Sequence, residues 1–176
     1  MDIYFLRHAS AGSHKSNPEA DERRPLDPEG IEQCGSIGRA LAAMDVKVDS
    51  VISSPLKRGL QTAELVAREI GYDNKIESSD ALRPEANYRA FQQLLQSHAN
   101  KDELMVVGHN PTLSEFLSLL VSGGTSHNVV ELRKGAIAKV PIDGNSTSLQ
   151  WCLTPKVVRT IQDGGSTRSR PKSSRK

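Results

Sequence analysis

Hydrophobic positions along the chain fall into short unbroken runs separated by longer amphipathic stretches. Ile3-Tyr4-Phe5-Leu6 is one such run and stops at Arg7-His8; Val51-Ile52-Ser53 and Leu104-Met105-Val106-Val107 repeat the form. Unbroken apolar runs of this length predict strands buried on both faces. Between them apolar residues recur at helical spacing, with Ile31, Cys34, Ile37 and Leu41 on one stripe and Leu56, Leu60, Ala63, Ala67 and Ile70 on a second. Tyr88, Phe91, Leu94, Leu95 and His98 mark a third helix. Thr112, Leu113, Phe116, Leu117 and Leu120 mark a fourth, opening near Pro111 and closing at Gly123-Gly124. Asp27 ahead of Pro28, and Ser54 ahead of Pro55, each place a capping side chain before a proline at the first helical position. Further on, Val129 to Leu132, Ala136 to Ile142 and Ser148 to Leu153 are separated by Gly or Asn turns and predict strands that finish the sheet.

Alternation of strand and helix predicts an α/β fold, a mostly parallel sheet with helices on both faces and antiparallel pairing at one edge. Ligands of such sheets bind just beyond the carboxyl ends of the strands. That rule selects Arg7-His8 after the first strand, Ser53-Ser54 with Arg58 after the second, and Gly108-His109-Asn110 after the Leu104 strand. The stretch Ser10 to Pro25 is charged, contains proline and is longer than an ordinary connection, as functional or mobile loops often are.

A chain of 176 residues predicts one domain. A domain near this size buries roughly two-thirds of its unfolded surface, so its core needs neither disulfides nor a structural metal. Cys34 and Cys152 lie far apart in no ligand-spaced pair, which argues against a zinc site or a disulfide framework. No apolar run approaches the roughly 18 residues of a membrane span, and Asp2 and Arg7 interrupt any signal-peptide pattern, so a cytoplasmic location is expected. Net charge is +2, but residues 163–176 carry five bases and one acid, leaving the body at −2. A mildly acidic body offers no basic face, so neither nucleic acid nor membrane is an expected partner. The terminal stretch has no apolar residue after Ile161 and cannot offset the entropy of ordering. The expected organisation is a domain over 1–162 and a disordered basic tail over 163–176, with no feature that specifies an oligomeric state.

One histidine at a strand end is commonly a buried ring bonded to backbone. Here His8 and His109 both end apolar runs, Arg7 adjoins one of them, and Arg58 lies in the first turn of a helix that follows another strand. Parallel neighbouring strands would bring all four to one rim, where two guanidiniums and two imidazoles match the oxygen geometry of a phosphate. Helix N-termini after Ser54 and Asn110 would add backbone donors. His14 and His127 read as solvated loop residues, His98 as a helix-end residue, Cys34 as core, and Trp151 as packed on the sheet.

These residues carry a resemblance. Leu6-Arg7-His8-Ala9 resembles the Arg-His-Gly signature of the histidine phosphatase superfamily, the phosphoglycerate-mutase-like fold. Arg24-Pro25-Leu26 with Gly30, Ser53-Ser54-Pro55-Leu56-x-Arg58-x-x-Gln61-Thr62-Ala63 and Val107-Gly108-His109-Asn110-Pro111 resemble three further motifs in family order. The short length looks most like the small phosphohistidine-phosphatase branch. The resemblance implies His8 as the nucleophile that becomes phosphorylated, Arg7 and Arg58 as the phosphate clamp, and His109 as a further phosphoryl ligand. It implies neither metal nor cofactor, since the arginines fill the electrostatic role of a divalent ion. The expected substrate is phosphohistidine on a protein, because Glu85 alone offers a general acid and the short connections leave little material for a lid; a small phosphomonoester is the alternative and a noncatalytic phosphate-binding module the rival outside enzymes. Ala9 stands where the family has Gly, which would strain the loop if that position needs positive φ or a close backbone approach; only a small effect is expected, since a backbone carbonyl can orient the histidine whatever the side chain. Asp27 replaces the usual Thr or Ser and should cap equally well. Glu85 is the one general-acid candidate and also reads as a solvated glutamate, so it stands outside the catalytic set.

Overall fold

The computed structural model describes residues 1–125, 129–144 and 146–166. Its centre is a parallel set of strands: β1 (Asp2–Arg7), β2 (Ser50–Ser53), β3 (Glu77–Ser78) and β4 (Glu103–Gly108), in the spatial order β3-β2-β4-β1. Beyond β1 the sheet turns antiparallel. β5 (Ile137–Asp143) pairs with β1, and β6 (Ser146–Thr147) and β7 (Trp151–Leu153) pair with different stretches of β5. The expected mostly parallel sheet with an antiparallel edge is what forms.

Helices cover both faces. Tyr4, Leu6, Val51, Met105, Val107 and Ile137 face α2 (Pro28–Ala43), α3 (Lys57–Glu69) and α6 (Pro155–Ser166), where Cys34, Ile37, Leu41, Ala63, Val66 and Val158 complete one core. The alternate strand residues Ile3, Phe5, Ile52, Leu104, Val106, Ala138 and Val140 face α4 (Tyr88–Ser97) and α5 (Thr112–Val121), meeting Phe91, Leu95, Leu113, Phe116 and Leu117. Successive side chains of a strand point to opposite faces, so two apolar cores demand the unbroken runs seen in the sequence. Phe91 stacks on Phe116 with ring centroids 4.9 Å apart and meets Phe5 at 5.7 Å.

Several expectations are corrected. The stripe on α2 begins at Cys34, because Ile31 is 53% exposed; Gly30 and Gln33 take the inward positions of the first turns. On α3 the buried line is Gly59, Thr62, Ala63, Val66 and Ala67, with Leu60 and Ile70 only half-buried. That helix starts at Lys57, with Leu56 at the N-cap making no side-chain cap bond, so Ser54 and Pro55 precede it. Val129–Leu132 is no strand: its backbone amides are taken by side chains, Val130 N by Ser118 Oγ at 3.2 Å and Leu132 N by Ser114 Oγ at 3.0 Å. The helix α6 runs four residues past the boundary expected at 162. The expected disorder therefore does not describe residues 163–166, and 167–176 lie outside the described residues, as does His127.

Asp27 caps α2 as expected, its Oδ1 accepting from Gly30 N at 2.7 Å. Its Oδ2 accepts from Ser10 Oγ at 2.8 Å and Gly12 N at 2.7 Å, which pins the chain leaving β1 onto the helix start. Here Gly30 is required, because a Cβ would collide with the Ser10 carbonyl, its carbon only 2.9 Å away. Ser10 is held in turn by Asp27 N and by Gln33, so the segment cannot retreat freely. Gly30→Ala is expected to lower the urea unfolding free energy by about 2–3 kcal/mol. An unchanged midpoint would contradict this packing.

Candidate active site

Parallel pairing aligns three strand ends. Arg7 stands opposite Gly108 and Ser53 opposite Val107, and the ladder continues one residue further as His8 N donates to Gly108 O (3.0 Å) and Ser54 N to Val107 O (2.9 Å). This register brings His8 and His109 together, ring centroids 4.8 Å apart, with Arg58 reaching in from the second residue of α3. The four residues selected from the sequence thus form one cluster, and His8, Arg58 and His109 are all more than nine-tenths buried.

The orientation of His8 follows from one bond. Its Nδ1 lies 2.7 Å from the Ala9 carbonyl oxygen, which can only accept, so Nδ1 carries the proton and Nε2 keeps its lone pair. Ala9 has no positive φ; among described non-glycine residues that conformation occurs at Asp45 alone. Ala in place of Gly therefore brings no positive-φ strain, and a backbone carbonyl orients the histidine as expected. Ala9 N donates to Thr62 Oγ1 at 3.1 Å, and Thr62 Oγ1 donates to Arg58 O at 2.7 Å, so the carbonyl that aims His8 is tied to the helix that carries Arg58.

Burial, and then the charges of Arg58, Arg7 and Arg24, push the His8 pKa down to about 3, against an opposing effect of the Ala9 bond. Burial likewise lowers His109 to about 2, with His8, Arg58 and Arg7 adding to the shift. Both rings are neutral at physiological pH.

Each arginine is anchored through Nη1. Arg7 Nη1 donates to Leu132 O at 2.8 Å, and Arg58 Nη1 donates to Asp21 O at 2.8 Å and lies 3.2 Å from Asp21 Oδ2. The Nε of each is buried without a partner, and so is His109 Nδ1. Among the described residues four buried side-chain N or O atoms lack a partner; these are three of them, the fourth being Glu103 Oε2 at the opposite end of β4. An unmet buried donor costs about 1–3 kcal/mol, so the two guanidinium Nε–H groups suit a ligand that brings acceptors, as an oxyanion does, and His109 Nδ1 joins them when it carries the ring proton.

Asp21 is a functional residue that the sequence reading missed. It lies in α1 (Pro18–Glu22), a short helix inside the long polar stretch, capped by Asn17 and opened by Pro18. Its carboxylate meets Arg58, accepts from Arg24 Nε at 2.9 Å and Lys15 N at 3.0 Å, and lies 3.0 Å from His14 Nδ1. Burial works to raise its pKa, but the Lys15 N–H, Arg24 and the charge of Arg58 outweigh it and hold the carboxyl well below the usual range. Asn17-Pro18 was its one sequence signal, a cap followed by proline.

Glu85 is no buried acid. Its side chain is 69% exposed and sits 3.7 Å from Arg83, which also pairs with Glu22 and Asp80. Cys34 is buried in the core, Trp151 packs against Tyr4 at 6.0 Å between centroids, and His98 sits at the end of α4 with Nδ1 2.9 Å from Leu94 O. Cys152 is exposed on β7, and His14, exposed as expected, has the Asp21 contact as well. Among the described residues no group of His, Cys, Asp or Glu could hold a metal ion, and no helix is long and apolar enough to cross a membrane.

The chain belongs to the histidine phosphatase superfamily (branch 1), which residues 3–97 match, and it is a phosphatase hydrolase of phosphoglycerate-mutase-like fold. It is similar to the phosphohistidine phosphatase SixA of Escherichia coli K12, at 26% identity over 88% of this chain and 94% of that protein. Its fold is similar to that of the protein histidine phosphatase SixA solved with tungstate, with a TM-score of 0.80 and 22% identity over 90% of this chain and 99% of the other. A phosphoglycerate mutase from Bacillus anthracis shares the fold at a TM-score of 0.67 and 13% identity, covering 92% and 96% of the two chains.

The Asp21 cluster yields a pH-dependent prediction. A carboxyl whose folded pKa lies below its unfolded value near 3.9 contributes stability above that value and loses it as the pH falls toward the folded one. Asp21→Asn is therefore expected to lower the unfolding free energy at pH 7 by about 2 kcal/mol. The gap from the wild type should narrow below about pH 4. A gap that stays constant from pH 7 to pH 3 in urea titrations would contradict the ionised clamp.

Proposed function

We propose that this chain removes phosphoryl groups from phosphohistidine on a protein through a phosphohistidine intermediate at His8. The observation that carries the reading is a histidine whose free lone pair is on Nε2, its ring 4.8 Å from that of His109, in a site where Arg7 Nε, Arg58 Nε and His109 Nδ1 are each buried and unpartnered. In this reading Nε2 attacks phosphorus, the bond from phosphorus to the leaving imidazole breaks, and the two guanidiniums stabilise charge on the equatorial oxygens. Water then attacks the His8-bound phosphorus, freeing phosphate and restoring the neutral ring. The depressed His8 pKa supports this role, since a ring that held a proton on both nitrogens could not attack. The similar SixA structure was solved with tungstate, a tetrahedral oxyanion of phosphate-like shape.

The choice of substrate rests on the acids. Asp21 is the carboxylate that pairs with a site residue among the described residues, and it is ionised and engaged with cations and a backbone N–H. Expelling an alkoxide from a sugar phosphate calls for a proton donor worth about two to four orders of magnitude in rate. An imidazole carries its own proton near neutral pH and leaves as a neutral base, so it needs no such donor. A cleft of about 330 Å³ lies beside Arg7, lined by Asn110, Pro111, Ser114, Val130 and Glu131, without His8, Arg58 or His109 in its wall. A cytoplasmic location accords with this substrate class.

The test is a comparison of kcat/KM for a phosphohistidine-bearing protein with a panel of sugar phosphates. The expected result is a preference for the protein by at least about a hundredfold, the lower end of what a missing proton donor costs. A preference for any sugar phosphate would assign the chain to small-metabolite monoesters. Absence of turnover on every substrate, with phosphate still bound, would make it a noncatalytic binding module.

A further inference from the structure

The second histidine presents a chemical difficulty that its surroundings resolve. A phosphoryl oxygen needs a donor, yet His109 is deeply buried beside two arginines and is held neutral. A neutral imidazole donates from one nitrogen only, so its use as a phosphate ligand depends on which tautomer it adopts.

Ser54 decides between them. It is wholly buried, and its Oγ lies 2.8 Å from His109 Nε2 while accepting from Leu56 N at 3.3 Å. If Nε2 carried the proton and donated to Oγ, the serine proton would have no acceptor among these contacts. His109 Nδ1 would then offer a bare lone pair to the phosphoryl oxygens. If the serine hydroxyl instead donates to Nε2, its lone pair takes Leu56 N–H, its proton is used, and the ring proton sits on Nδ1. Only the second arrangement satisfies Ser54 and makes the unpartnered Nδ1 a donor.

We infer that Ser54 is a positioning residue that fixes His109 as the neutral Nδ1–H tautomer and so lets it donate to the phosphoryl group without being charged. The inference rests on the phosphoryl-transfer reading above and adds the protonation state of its second histidine. It also gives the displaced helix start a purpose: Ser54 is committed to a ring and to Leu56, one residue ahead of α3, in place of capping the helix.

The tautomer is directly observable. In the full chain labelled with ¹⁵N-histidine, long-range ¹H–¹⁵N correlation at pH 7 should show His109 with a protonated Nδ1 and an unprotonated Nε2. In Ser54→Ala the Nδ1–H signature should be lost or mixed with the Nε2–H form. The affinity for inorganic orthovanadate should fall roughly tenfold, the equivalent of one hydrogen bond. A wild-type spectrum with the proton on Nε2, or a doubly protonated ring, would overturn the inference whether or not the variant folds. So would a folded Ser54→Ala protein that keeps the wild-type tautomer and vanadate affinity. These outcomes concern His109 alone, whereas failure of the phosphohistidine reading would appear as a sugar-phosphate preference with the tautomer unchanged.

Discussion

Everything at the carboxyl end of this sheet depends on two guanidiniums, Arg58 buried and Arg7 half-buried, with Asp21 the one buried carboxylate beside them among the described residues. Arg58 is paired with Asp21, and Asp21 is already shared with Arg24; Arg7 is anchored by a carbonyl. The excess positive charge has three consequences. It helps keep His8 and His109 neutral, it leaves donors waiting for acceptors, and it ties the polar stretch before Pro25 to the helix that carries Arg58. Buried charge without its counter-ion is costly, so the fold accepts a loss of stability at the place where a phosphoryl group would supply the missing negative charge.

The backbone contributes by satisfying one face of each charged group and leaving the other open. Leu132 O accepts from both Arg7 Nη1 and Asn110 Nδ2, while Leu132 N is held by Ser114 on α5. A regular strand over Val129–Leu132 would have spent that carbonyl on a ladder. The irregular segment is what makes it available to Arg7, and the same logic applies to Ser54, freed from capping to address His109.

This division explains what was legible in the sequence. The buried parallel strands are unbroken apolar runs, and Arg7, His8, Arg58 and His109 follow them at fixed positions, so topology alone predicted that they meet. Asp21 was hidden because α1 is five residues long with no apolar period, and it is held by polar bonds, to the Lys15 N–H and Arg24 nearby and to the distant Arg58. The last helix was hidden for a related reason: α6 places only Val158 in the core, while Val157 and Ile161 are exposed, so its pattern resembles a polar tail. Periodicity reports burial, and elements or residues held by specific polar contacts leave little trace in it.

The central claim is that His8 attacks through the ring nitrogen that Ala9 leaves free. It is tested by quenching the full chain in alkali during turnover of a phosphohistidine-bearing protein and locating phosphorus by mass spectrometry and ³¹P NMR. The account predicts phosphate on His8, on Nε2, and no phosphoenzyme or turnover in His8→Ala. Phosphate on Nδ1 or on another residue, or normal turnover by His8→Ala, would contradict it.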